Sequence, residues 1–267
     1  MSSTGTWTQA FASIGAVPVR WLVGWWRIVE FGAVVLVLAL SPSSYRSGIG
    51  PVLARHVYLD TAPILGWFTV LCALLTLVIT RIVVVTAYSY GLSQYALEMV
   101  IRVLVLELIP LTAALFVALR CTIPNGAALA EMRRLGHFDA LRRQRIDPVT
   151  REVLPRVAAG MFSAITLAAL SCVVALALAY LAVYGLGTAG IPAYTRMFGH
   201  VFNPGVSLIF VLKTLFFSFS VSVIPMASAL YDLEGDGSRE SAALQGLVRM
   251  FAVLLLIESV SLVGNYY

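Results

Sequence analysis

"TAPILGWFTVLCALLTLVITRIVVV", residues 61–85, runs for twenty-five positions with a single charge, Arg81. As an α-helix it would extend about 37 Å, more than the ~30 Å hydrocarbon core of a bilayer. A helix apolar on every side belongs in a membrane or at the centre of a large core. A strand of a membrane barrel would instead alternate apolar and polar residues. The rest of the chain agrees with the membrane reading. Of its 267 residues 60% are apolar and 12% charged, with mean hydropathy +0.91. Soluble domains hold roughly 45–50% apolar residues. The expected class is an all-α membrane protein.

Working outward, four more apolar runs predict spans over about residues 99–119, 157–184, 206–230 and 243–263. Near the start, Trp7, Phe11, Trp21, Trp25 and Trp26 mix with Arg20 and Arg27. Tryptophan rings with weak basic charge suit the membrane interface. The apolar run 28–40 that follows is short for a span and ends at Ser41-Pro42. It predicts an interfacial elbow helix. The organisation is therefore an N-terminal elbow region, 1–56, and a five-span domain, 57–267, carrying a charged segment at 120–156. The first twenty residues show neither the basic start nor the cleavage site of a signal peptide.

Arginine placement sets the orientation. Arg120, Arg133, Arg134, Arg142, Arg143, Arg145, Arg151 and Arg156 lie between the second and third spans. The loop after the third span has only Arg196, and the loop after the first has no Lys or Arg. The positive-inside rule places 120–156 and the N-terminus in the cytoplasm and the C-terminus outside. The acidic loop 231–240 then also faces the cytoplasm. The net charge of +5 is accounted for by these loops and implies no nucleic acid.

Several motif matches fail on context. "GLGTAG" (185–190) follows a membrane helix, not a strand opening a nucleotide-binding unit. "DLEGDG" (232–237) lacks the ligands of a calcium loop at its third and twelfth positions. No P-loop occurs, and Cys72, Cys121 and Cys172 have no metal-ligand spacing. His56, His137 and His200 have no partner at catalytic or ligand spacing. The expectation is a non-catalytic chain, with no metal and no cofactor of its own.

Ionisable residues within spans carry more meaning, because inserting one costs at least ~2.5 kcal/mol. Lys213, the single lysine, sits in "FVLKTLFFSFS", and Glu107 sits in "VLVLELIPLT" ahead of a kink expected at Pro110. Arg81 and Arg102 lie nearer span ends, where they can snorkel, and Glu258 occupies the last span. Glu107 and Lys213 are either a buried pair that fixes helix register or polar groups lining a substrate cavity.

The segment "ALAEMRRLGHFDALRRQR" spaces Leu129, Met132, Leu135, Phe138 and Leu141 three apart, an apolar stripe opposite Arg133, Arg134, Asp139, Arg142 and Arg143. Asp147-Pro148 stops it, since a residue before proline avoids the α region. Such a helix can lie on the membrane or dock into a soluble partner. The acids among the arginines favour a protein partner.

From "LELIPLTAALFVALR" through "EMRRLGHFDALRRQRIDPVTREVLPRVAAG" the chain resembles the MlaE/YrbE permease family. The matching residues are Glu107, Leu108 and Pro110, then Asp139-Ala140-Leu141, Ile146-Asp147-Pro148 and Pro155-Arg156. Lys213 looks like the family's lysine in a later span. The chain departs from the family in having Gly136-His137 where Glu-Gln is usual, and Leu106 where an arginine commonly precedes the glutamate. The glycine-rich turn of the family is replaced by "LRCTIPNG", with Pro124 in the helix path.

The resemblance implies a permease subunit of an ABC transporter for phospholipid or a related lipid, in a bacterial inner membrane. Its expected partners are a second permease copy, an ABC ATPase that holds ATP and Mg, and a periplasmic MCE-domain hexamer. Glu107, Lys213 and Pro110 would then belong to the lipid cavity. Phe138, Asp139, Ala140, Leu141, Arg142, Arg143, Asp147 and Pro148 would transmit ATPase motion. The alternative is a secondary transporter or an intramembrane lipid-modifying enzyme that acts without an ATPase.

Overall fold

The computed structural model of the chain describes residues 4–42, 50–231 and 239–266, so residues 232–238 of the acidic loop lie outside it. Among the described residues there is no strand. The helices are α1 (Thr4–Leu40), α2 (Gly50–Ser89), α3 (residues 93–134), α4 (His137–Arg143), α5 (Leu154–Tyr184), α6 (Ile191–Val201), α7 (Pro204–Tyr231) and α8 (Arg239–Tyr266). α3 is continuous but widens into π-type turns at Ile101–Leu108 and Ala118–Thr122, and a third widened turn, Val149–Val153, opens α5.

The five expected spans fall in α2, α3, α5, α7 and α8, each long and apolar enough to cross a membrane. A sixth such segment, Leu22–Leu40, belongs to α1. It starts six residues ahead of the run expected for the elbow, because Leu22 and Val23 extend the apolar stretch past Arg27 and Glu30. Phe31 packs edge-on against Tyr231, the last residue of α7, at 5.9 Å, and α1 also touches the turn 149–153. These contacts tie α1 to the arginine-rich end of the bundle.

α2 shows why the sequence makes a membrane bundle. Ile64, Phe68, Cys72, Thr76 and Thr80 recur every fourth residue and are buried, while Trp67, Val70, Leu74, Val78 and Ile82 on the other side are exposed and equally apolar. One face packs along α5, tied by a 2.7 Å hydrogen bond between the hydroxyls of Thr61 and Ser163. The other face suits lipid. α7 and α8 form an antiparallel hairpin, with Gly246 beside Ser228 and Gly264 beside Ile209, and α7 lies against α5 and α3.

The amphipathic helix expected through residues 128–145 is instead two helices. Gly136 takes a left-handed backbone (φ 75°) and closes α3 through its N–H to the Arg133 carbonyl at 3.0 Å. The turn removes Leu135 from the stripe and leaves it 71% exposed, while Leu129, Phe138 and Leu141 stay buried. α3 also does not end near Leu119: it continues past Arg120 for fourteen residues and packs on α7.

Candidate functional site

Two apolar cores divide the bundle along its length. One gathers Phe68, Leu154, Phe217 and Leu254; the other gathers Ile101, Leu104, Ala175 and Val206. Three charged residues of the spans, Glu107, Lys213 and Glu258, meet where these cores adjoin. Lys213, 2% exposed, pairs with Glu107 Oε2, and its Nζ lies 2.8 Å from Glu258 Oε2. Asn265 Nδ2 donates to the other Glu107 oxygen at 3.2 Å. One ammonium therefore faces two carboxylates, contributed by α3, α7 and α8. The ammonium also lies 5.7 Å from the Phe217 ring centroid. Along α7, Lys213 is about 13 Å from Pro204 and about 27 Å from Tyr231, so the cluster lies nearer the end opposite the arginines.

Pro110 explains how the backbone enters this site. It has no N–H for the carbonyls four and five residues back, Leu106 and Val105. The turn is widened there, since the Ile109 N–H already reaches Leu104 O. Lys213 Nζ donates to Leu106 O at 3.3 Å, and Cys172 Sγ to Val105 O at 3.6 Å. The same device recurs on α7, where Pro225 frees the Val221 carbonyl and Thr122 Oγ1 donates to it at 2.6 Å.

The second group of sequence-identified residues lies at the arginine-rich end. On α4, Phe138 and Leu141 face inward, leaving Asp139, Ala140, Arg142 and Arg143 exposed. Asp139 and Arg142 approach to 3.8 Å with both side chains about 70% exposed (69% and 70%). Asp147 caps the helix leading into α5: its carboxylate accepts from the Val149 N–H at 3.2 Å, the Thr150 N–H at 3.1 Å and the Thr150 hydroxyl at 2.6 Å. Pro148 is buried at the first position of that helix, where its missing N–H is no loss. Arg156 and Glu152 pair at 2.7 Å beneath α4, and His137 Nε2 stands 3.9 Å from Glu152.

At the opposite end a cavity of about 860 Å³ opens between α2, the first turns of α3 and α6. Ile82, Val83, Ala87 and Met99 make its floor apolar, and Glu98 and Arg102, with His200 beside them, make one side polar. This volume lies within the usual 300–1,000 Å³ of ligand sites. Sequence reasoning joined Glu107 and Lys213 as potential partners. It left Glu258 unassigned and missed Asn265, and it set His200 and Arg102 aside singly. Nothing local marks Asn265, which reaches Glu107 across 158 positions of sequence.

No curated protein matches the chain. The Permease MlaE family matches residues 53–263, from the start of α2 almost to the end of α8 and through both polar sites. The chain belongs to the MlaE permease family.

Proposed function

We propose that this permease is the membrane half of an ATP-driven lipid transporter. In this reading a second copy completes the permease, an ABC ATPase holding ATP and Mg docks on the cytoplasmic face, and a periplasmic MCE-domain hexamer exchanges phospholipid with it. The membrane is the bacterial inner membrane, with the arginine-rich end and the N-terminus in the cytoplasm. This chain supplies no catalysis of its own.

The observation that carries the reading is α4. It is a seven-residue helix anchored by Phe138 and Leu141 and otherwise turned outward, between two spans at the arginine-rich end. An exposed face of mixed charge backed by two apolar anchors suits docking on a soluble protein. Motion of α4 reaches the spans through the Glu152–Arg156 pair and through the helix that Asp147 and Pro148 start. At the far end, the apolar cavity takes the lipid, and the Glu107–Lys213–Glu258 cluster forms the polar layer beneath it.

Affinity purification of the tagged chain from its native membrane, with mass spectrometry of bound proteins and lipids, tests the whole reading. An ABC ATPase, an MCE protein and enriched phospholipid are expected. Arg142→Glu with Arg143→Glu should lose the ATPase while the protein stays folded, since both side chains are exposed. A chain recovered without an ATPase would refute the docking role and favour a transporter or lipid-modifying enzyme that works alone.

A further inference from the structure

The side of the cavity that carries charge is built to read a headgroup, an inference that rests on the lipid-permease reading. Arg102 Nε donates to Glu98 Oε1 at 3.0 Å, one turn along α3. From α6, His200 Nδ1 stands 3.9 Å from the same oxygen. The Glu98 and Arg102 side chains remain 27% and 26% exposed, so each can trade part of its pairing for a ligand without being drawn from a dry core.

The two α3 groups sum to zero charge. An anionic headgroup would gain Arg102 but also meet the Glu98 carboxylate, held one hydrogen bond away. A zwitterion offers phosphate to the guanidinium and ammonium to the carboxylate, matching both charges at the separation the ion pair already sets. Acyl chains then find Ile82, Val83 and Met99 on the adjoining floor.

We propose that Glu98 and Arg102 form a headgroup subsite selective for zwitterionic phospholipid, with phosphate on Arg102 and ammonium on Glu98. Glu98 is its specificity-determining residue, because it alone distinguishes an ammonium from a neutral alcohol.

The test incubates the full purified chain with vesicles equimolar in phosphatidylethanolamine and phosphatidylglycerol and measures bound lipid by mass spectrometry. Wild type should enrich the ethanolamine lipid about threefold, the scale of a partly exposed ion pair. Glu98→Gln should bring that ratio to one or below while total lipid holds. Arg102→Gln should lower both lipids together, and Met99→Trp, which fills the floor, should do the same. An unchanged ratio in Glu98→Gln, or enrichment of the glycerol lipid by wild type, would overturn the subsite and leave the lipid reading standing. Absence of bound lipid in every form would overturn the lipid reading itself, and the subsite with it.

Discussion

Replacing Lys213 by methionine removes the one cation of the buried cluster and keeps the side-chain length. Glu107 and Glu258 are then left facing each other across the gap, with Glu107 still held by Asn265. Lys213 is 2% exposed and Glu107 is 7% exposed, so water cannot take the place of the ammonium. Breaking a buried pair by deleting one partner costs about 3–5 kcal/mol. At about 2–4 °C per kcal/mol for a chain of this size, the apparent melting temperature should fall by roughly 6–20 °C. The assay is a thermal melt in detergent followed by fluorescence-detected gel filtration. Lys213→Met combined with Glu107→Gln and Glu258→Gln removes all three charges and should recover most of the loss, because neutral groups of similar volume replace buried ion pairs at little cost. A single Lys213→Met melting within about 2 °C of wild type would refute the premise that the ammonium holds these helices together. Lipid transport by the recovered triple variant then separates packing from function. Normal transport would make the cluster purely structural, and lost transport would give its charges a role in moving lipid.

Two further perturbations test the crossing of α3, α5 and α7. Thr122→Val should cost about 1–3 kcal/mol, because it strands the Val221 carbonyl; adding Pro225→Ala, which restores a backbone N–H to that carbonyl, should recover most of the loss in the same melt. Gly160→Ala should cost about 1–3 kcal/mol, since its methyl would lie 2.8 Å from both Ser222 Oγ and Thr122 Cγ2; Gly66→Ala, with nothing within 4 Å, is the control expected to melt at or above wild type.

The spans were legible because a bilayer demands long apolar runs, and α2, α5, α7 and α8 carry them with few interruptions. Lys213 and Glu107 were legible as anomalies, since an ion amid apolar residues stands out by its insertion cost alone. Their partners were not: a glutamate in the last span and an asparagine near its end carry no spacing rule that ties them to residue 107. The stripe Leu129–Leu141 failed at Leu135 for a local reason. Periodicity treats Gly136 as one more step, whereas the backbone uses its freedom at φ 75° to end the helix. Asp147-Pro148 marks the stop of one helix and the start of the next in the sequence alone; that the Asp147 carboxylate caps the second helix needs the Val149 and Thr150 hydrogen bonds to see.

Prolines inside α3 and α7 link the two polar features of the spans. A membrane helix that loses a backbone hydrogen bond has no water to replace it, so each freed carbonyl must find a donor on a neighbour. Leu106 O finds Lys213, and Val221 O finds Thr122. Both bonds run between α3 and α7, in opposite directions: at the level of Lys213 α7 donates to α3, and at the level of Thr122 α3 donates to α7. The two helices are therefore joined at two heights by bonds that exist only because each backbone is broken there. Between the levels, Ile109–Val117 is a regular helix bounded by widened turns. Its buried face, Ile109, Ala113, Ala114 and Val117, packs between those levels, so the two proline-linked bonds bracket one closely packed stretch of the helix.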